Sequence, residues 1–230
     1  MVLLINVLDQ FVKVWHAYPF DIIASFCALP VLAIYLLNRK IVNRLFLPIG
    51  IYAVVTVVFE IWNTSLGLQG LNNFITYYVF FIFEGFLLAW FYRDYFMTRF
   101  SKIKMGLIEL CIVGIAVYGV INFFFIDKSI FSSTIALAEG FFLIVLSLSY
   151  LLDVFQNISN DNLFQSPRFI INAGILLYFS GSFFVLIFAD YVLKNKLNTV
   201  FDPWHIITAL VIIFRLILAW GIWLTGKYER

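Results

Sequence analysis

The fold class this sequence predicts is an all-α polytopic membrane protein, a seven-transmembrane-helix bundle, and three observations carry that prediction. First, apolar residues make up 63% of the 230 and charged residues only 12%. A soluble domain has roughly 45–50% and about 25%. Second, the apolar residues gather into runs of about 20, the length a helix needs to cross the hydrocarbon. Third, only short polar breaks separate the runs. The longest, Gln156 to Arg168, reads as a loop. The chain is therefore read as one membrane domain, 1–230, and any output beyond the bilayer needs a separate partner.

Seven spans follow in order, at about 19–38, 46–66, 74–93, 105–126, 131–152, 169–190 and 204–225. The first contains Pro30, which removes a backbone donor and should bend the helix locally. "NRKIVNR" closes the first span, "LGLQGLNN" the second and "SNDNLFQSPR" the fifth, while "KNKLNTVFDP" precedes the seventh. Ahead of the spans, residues 1–17 lack the basic start and small-residue cleavage site of a signal peptide. Asn6, Asp9, Gln10, Lys13 and His16 recur there at helical spacing. They predict a short amphipathic helix on the membrane surface, with a frayed apolar tail as the alternative.

Direction follows from Lys and Arg. With the first loop cytoplasmic, that side holds Arg39, Lys40, Arg44, Arg93, Arg99, Lys102, Lys104, Arg168, Lys227 and Arg230. The opposite side holds Lys13, Lys128, Lys194 and Lys196. This predicts an outside N-terminus and a cytoplasmic C-terminus.

On that topology, Glu84 and Arg215 lie near the midplane, Glu139 slightly outside it and Glu60 in the outer half. A charged side chain facing lipid costs about 2.5–3.5 kcal/mol or more, so these four are expected to turn inward and pair. Thr56, Glu60 and Asn63 share one face of the second span. Thr208 and Arg215 share a face of the seventh. Asn172 and Ser180 align on the sixth, with Ser182 nearby. The candidate polar-core or ligand-binding residues are therefore Glu60, Asn63, Glu84, Glu139, Asn172, Ser180 and Arg215. One arginine neutralises one carboxylate, so at least one of the three acids is expected to carry a proton, which makes it a switch or a carrier. Alternatively, the polar pairs only hold helices together. "EGF" occurs at Glu84 and again at Glu139, 55 residues on. The match is read as chance or shared packing, since no longer repeat surrounds it.

Several chemistries are excluded. Every lysine lies at a loop or span end, which leaves no intramembrane Schiff base for retinal. The two histidines, His16 and His205, sit at the outer boundary. That is too few for the three-ligand zinc site of a membrane hydrolase, so neither metal nor cofactor is expected. Cys27 and Cys111 read as small apolar-run residues. "YRDY", 92–95, inverts the order of the receptor acidic–Arg–Tyr motif, and Arg93 and Asp94 read as interfacial charges. The net charge of +2 suggests no nucleic acid.

"SPRFIINAGILLYFSGSFFVLIF", 166–188, and "WHIITALVIIFRLILAWGIWL", 204–224, resemble the last two spans of small bacterial seven-helix membrane proteins found near sensor histidine kinases. The resemblance implies a bacterial inner-membrane location and a signalling association, and it assigns no catalytic residue. The first reading is thus a sensor or signalling-accessory protein. A small molecule, a lipid or a proton would act on its polar core, and a separate signalling protein would take the output. The alternatives are a proton-coupled transporter using Glu60, Glu84 and Glu139, for which a homo-oligomer would compensate small size, and a lipid-modifying enzyme. An inverted repeat or broken helices, the marks of many transporters, are not expected.

Overall fold

The computed structural model describes residues 19–38, 46–71, 73–97, 134–157, 162–194 and 203–228, and scattered positions between 106 and 125. The polar stripe of residues 1–17 and most of the fourth expected span lie outside the described residues. Those described are helical apart from short turns, and no strand occurs among them.

The helices are α1 (Pro19–Phe26), α2 (Ala28–Asn38), α3 (Leu47–Leu68), α4 (Phe74–Met97), α5 (Thr134–Gln156), α6 (Pro167–Lys194) and α7 (Pro203–Tyr228). Five stretches are long and apolar enough to cross a membrane: Pro19–Asn38, Leu47–Gly67, Thr134–Gln156, Pro167–Phe188 and Trp204–Lys227. α4, of 24 residues, is a further helix of spanning length.

Local chemistry sets the ends. Proline opens α6 and α7 and stands in the first turn of α3, where its missing N–H is unneeded. α3 stops at a glycine cap. Gly70 has φ 67°, Gly70 N–H donates to Gly67 and Leu71 N–H reaches back to Leu66. That is the paired-bond closure a left-handed glycine permits. The first span is interrupted, not merely bent. Pro30 cannot donate to the Phe26 carbonyl four residues back. The chain turns at Cys27, whose N–H is shared by the Ile23 and Ala24 carbonyls at 3.0 Å each. The expectation of no broken helix is corrected here.

Each described span packs on its neighbour: α3 on α4, α4 on α5, α5 on α6, α6 on α7, and α7 on α1 and α2, of which α2 returns to α3. The spans thus form a closed ring. α5 shows how the pattern faces inward. Ala136, Glu139, Gly140, Leu143, Leu146, Ser147 and Tyr150 are buried, and they recur every three or four residues. Phe141, Val145, Leu148 and Leu152 face outward. Small residues bring backbones close. A Cβ added at Gly174 or Gly181 of α6 would stand 2.8 Å from Ile217 or Leu210 of α7.

Contacts also give directions. Asn63 meets Tyr77 while Tyr52 meets Glu84, so α3 and α4 are antiparallel. Glu139 lies beside Gly85 while the Tyr150 ring meets the Tyr95 ring at a tilt, so α4 and α5 are parallel. Asp21 meets Thr208 and Arg215 meets Ala24, so α1 and α7 are parallel as well.

Candidate functional site

The ring interior holds four levels of polar contact. At the end where α1 and α7 begin, Thr208 donates to Asp21 at 2.7 Å. Nearby, Asn63 donates to the Tyr77 hydroxyl and accepts from Thr76, both at 3.1 Å, clasping α3 to α4.

One level deeper, Arg215 of α7 forms an ion pair with Glu60 of α3 through Nη2 and donates to the Ala24 carbonyl through Nη1. Ser25 donates to the other Glu60 oxygen at 2.7 Å. The expected pairing of Arg215 with one of the glutamates is thus made to Glu60. The guanidinium also meets the last turn of α1, where the helix dipole is negative. Its planar fork lets one side chain join three helices.

The third level holds Glu84 and Glu139, each only 1% exposed. Tyr52 donates to Glu84 Oε1 at 2.9 Å. Glu84 Oε2 and both Glu139 oxygens have no hydrogen-bond partner among the described residues. Arg215 acts electrostatically on Glu84, and Glu84 acts on Glu139 and Tyr178. Gly85 makes this possible. A Cβ there would stand 3.1 Å from Glu139 Cγ and 3.2 Å from Oε1, so the glycine leaves room for the carboxyl. Gly140 instead faces Phe179 and Phe183 of α6. The two Glu-Gly pairs are therefore joined by packing, with one acid resting against the other's glycine.

At the fourth level, Asn172 Oδ1 accepts from Tyr92 at 2.6 Å and from Ser147 at 2.8 Å, joining α4, α5 and α6. Beyond it Tyr95 donates to Asp153, and Arg168 lies 5.7 Å from the centre of the Tyr95 ring.

No family model matches this chain, and neither does any curated protein or solved structure. The site therefore stands on its own geometry.

Of the seven residues singled out from sequence, Glu60 and Arg215 form one cluster, and Glu84 and Glu139 form the next beside it. Asn172 holds the level below, and Asn63 belongs to the α3–α4 clasp. Ser180 joins none of them. Its hydroxyl lies 3.4 Å from the Leu177 carbonyl of its own helix, and Ser182 likewise donates to Tyr178 at 2.7 Å. A serine inside a helix can satisfy itself on the preceding turn, so shared spacing with Asn172 did not bring it to the cluster.

Sequence reasoning missed Asp21, Ser25, Tyr52, Tyr92, Ser147 and Tyr178. Three of them carry a readable signal. Tyr52, Tyr92 and Ser147 each lie eight residues from Glu60, Glu84 and Glu139 respectively, close to two helical turns and hence on the same face. The first span lines the core too, through a backbone carbonyl exposed to a side-chain donor by the break at Cys27. No side-chain pattern announces that.

Proposed function

We propose that this chain is a seven-span sensor or signalling-accessory protein of the bacterial inner membrane. Its N-terminus is outside and its C-terminus cytoplasmic. A stimulus acting on the buried polar core alters how the helices pack, and a separate protein takes the output.

The observation that carries this reading is that the charges sit at the junctions between helices. Glu60 and Arg215 hold α1, α3 and α7, Glu84 is bonded by Tyr52 across α3 and α4, and Glu139 of α5 lies against Gly85 of α4. A change of charge there alters interhelical contacts directly, and close-packed interiors respond by switching between arrangements. Parallel α4 and α5 support the seven-span count. Met97 and Thr134 stand at opposite ends of the bundle, as a seven-span chain requires. The parallel pairing of α1 with α7 supports an odd number of crossings, which is the condition for termini on opposite sides.

One observation favours a second reading, a proton-coupled transporter. The first span is broken at Cys27, and the Ala24 carbonyl is turned to Arg215. Interrupted helices line the binding sites of many transporters. Proteoliposomes loaded with a pH-sensitive dye separate the two. A sensor leaves proton entry at the rate of protein-free vesicles under an imposed gradient. Gradient-driven entry that is lost in Glu139→Gln replaces the sensing reading with transport.

A further inference from the structure

We propose that Glu84 and Glu139 form a proton-binding pair in which Glu139 takes the first proton and directs it toward Glu84 Oε2. This deepens the sensing reading by naming the stimulus, and it rests on that reading only for the consequence of proton binding.

Three features assign the proton. The first is the division of donors. Glu84 Oε1 receives the Tyr52 hydroxyl at 2.9 Å, and Arg215 acts on Glu84 from α7. Glu139 receives no donor among the described residues. A buried carboxylate without donors is among the most expensive groups a protein can hold, whereas its protonated form gains a donor of its own. Glu84 Oε2 is the acceptor that Tyr52 leaves unfilled.

The second feature is the seat. Gly85 makes the space the Glu139 carboxyl occupies, with a Cβ there standing 3.1 Å from Cγ. The glycine is needed by the shape of the carboxyl, whatever its charge. The third is the charge ledger. The groups that face the pair are Tyr52 from α3, Tyr178 from α6 and Arg215 from α7. Arg215 is already bound to Glu60. With Glu60, Glu84 and Glu139 all ionised, the described residues of the core carry two unmatched negative charges. One proton on Glu139 leaves one, held on Glu84 by Tyr52 and Arg215, and a second proton on Glu84 leaves none. A divalent ion in place of the protons would need more oxygen ligands. Among the described residues no group of three or more His, Cys, Asp or Glu converges to hold a metal.

The test is infrared difference spectroscopy of the full chain in liposomes, stepped in pH, with and without ¹³C-labelled glutamate. The label should shift a protonated-carboxyl band whose intensity changes with pH. Glu139→Gln should remove that band. Glu84→Gln should keep a Glu139 band but move its frequency, because its acceptor becomes an amide. Gly85→Ala should move the frequency without loss. If no labelled band responds to pH in the wild-type chain, the proposal is overturned, and this needs no variant to fold. A band unchanged in Glu139→Gln overturns it too. Exchanging choline for sodium at fixed pH should leave the band alone; its loss on adding sodium would assign the pair to an alkali cation. Flux in the proteoliposome assay would sink the sensing reading and leave the proton pair standing.

Discussion

Replacing Arg215 by alanine removes the cation that, among the described residues, stands at the centre of the ring. Arg215 is 4% exposed, and it holds the Glu60 carboxylate and the Ala24 carbonyl. Breaking a buried ion pair from one side costs about 3–5 kcal/mol in soluble proteins. Polar contacts between membrane helices average about 0.6 kcal/mol and reach about 1.7, because the unfolded reference finds other partners. Glu60 keeps its Ser25 bond, and its side chain stays 16% exposed, so the orphaned carboxylate remains partly solvated. These limits place the loss at about 2–3 kcal/mol. At this chain length each kcal/mol moves the melting temperature by about 2–4 °C. Arg215→Ala should therefore melt about 5–10 °C lower in detergent, read by intrinsic fluorescence. Arg215→Lys should recover about half, since an ammonium can hold Glu60 but lacks the fork that also reaches Ala24. Glu60→Gln added to Arg215→Ala should recover part of the loss by removing the orphaned charge. An Arg215→Ala variant melting within about 2 °C of wild type, or a double variant no better than the single one, would refute the polar-core reasoning.

Asn172→Leu should destabilise the chain by about 1–3 kcal/mol, because the Tyr92 and Ser147 hydroxyls lose a shared buried acceptor; thermal melting checks it, and a neutral result would remove the fourth polar level as a fastening. Reporter fusions after Lys104 and at Arg230 should both read cytoplasmic, as the Lys and Arg distribution requires, and a periplasmic signal at Arg230 would take one crossing from the count. Purified protein should carry no stoichiometric zinc or haem, with His205→Ala leaving metal content unchanged; one metal per chain lost in that variant would reopen metal chemistry.

The helical class, the membrane setting and the approximate bounds of the described spans were legible without coordinates. They depend on quantities summed along the chain: apolar content, run length and the placing of proline and glycine. The helix at 74–97 runs four residues past its expected end, and the proline-bent first span proved to be two helices. The cost of a charge in hydrocarbon was enough to pick out Glu60, Glu84, Glu139 and Arg215 and to expect them inside.

Only the tertiary structure decided who meets whom. Arg215 binds Glu60 and not the more deeply buried Glu84 or Glu139, because α7 packs on α1 beside α3. Tyr52, a residue that fits an aromatic-rich apolar helix, became the donor to Glu84 once α3 and α4 lay antiparallel. Ser180 shared its helix with Asn172 and found its own backbone instead. The first span entered the core through the Ala24 carbonyl, which every residue type carries. A one-dimensional pattern records how polar each position is and which helical face it occupies. Pairing depends on the rotation and depth of neighbouring helices, and those are set by many small packing contacts, such as Gly85 against Glu139, that no single residue encodes.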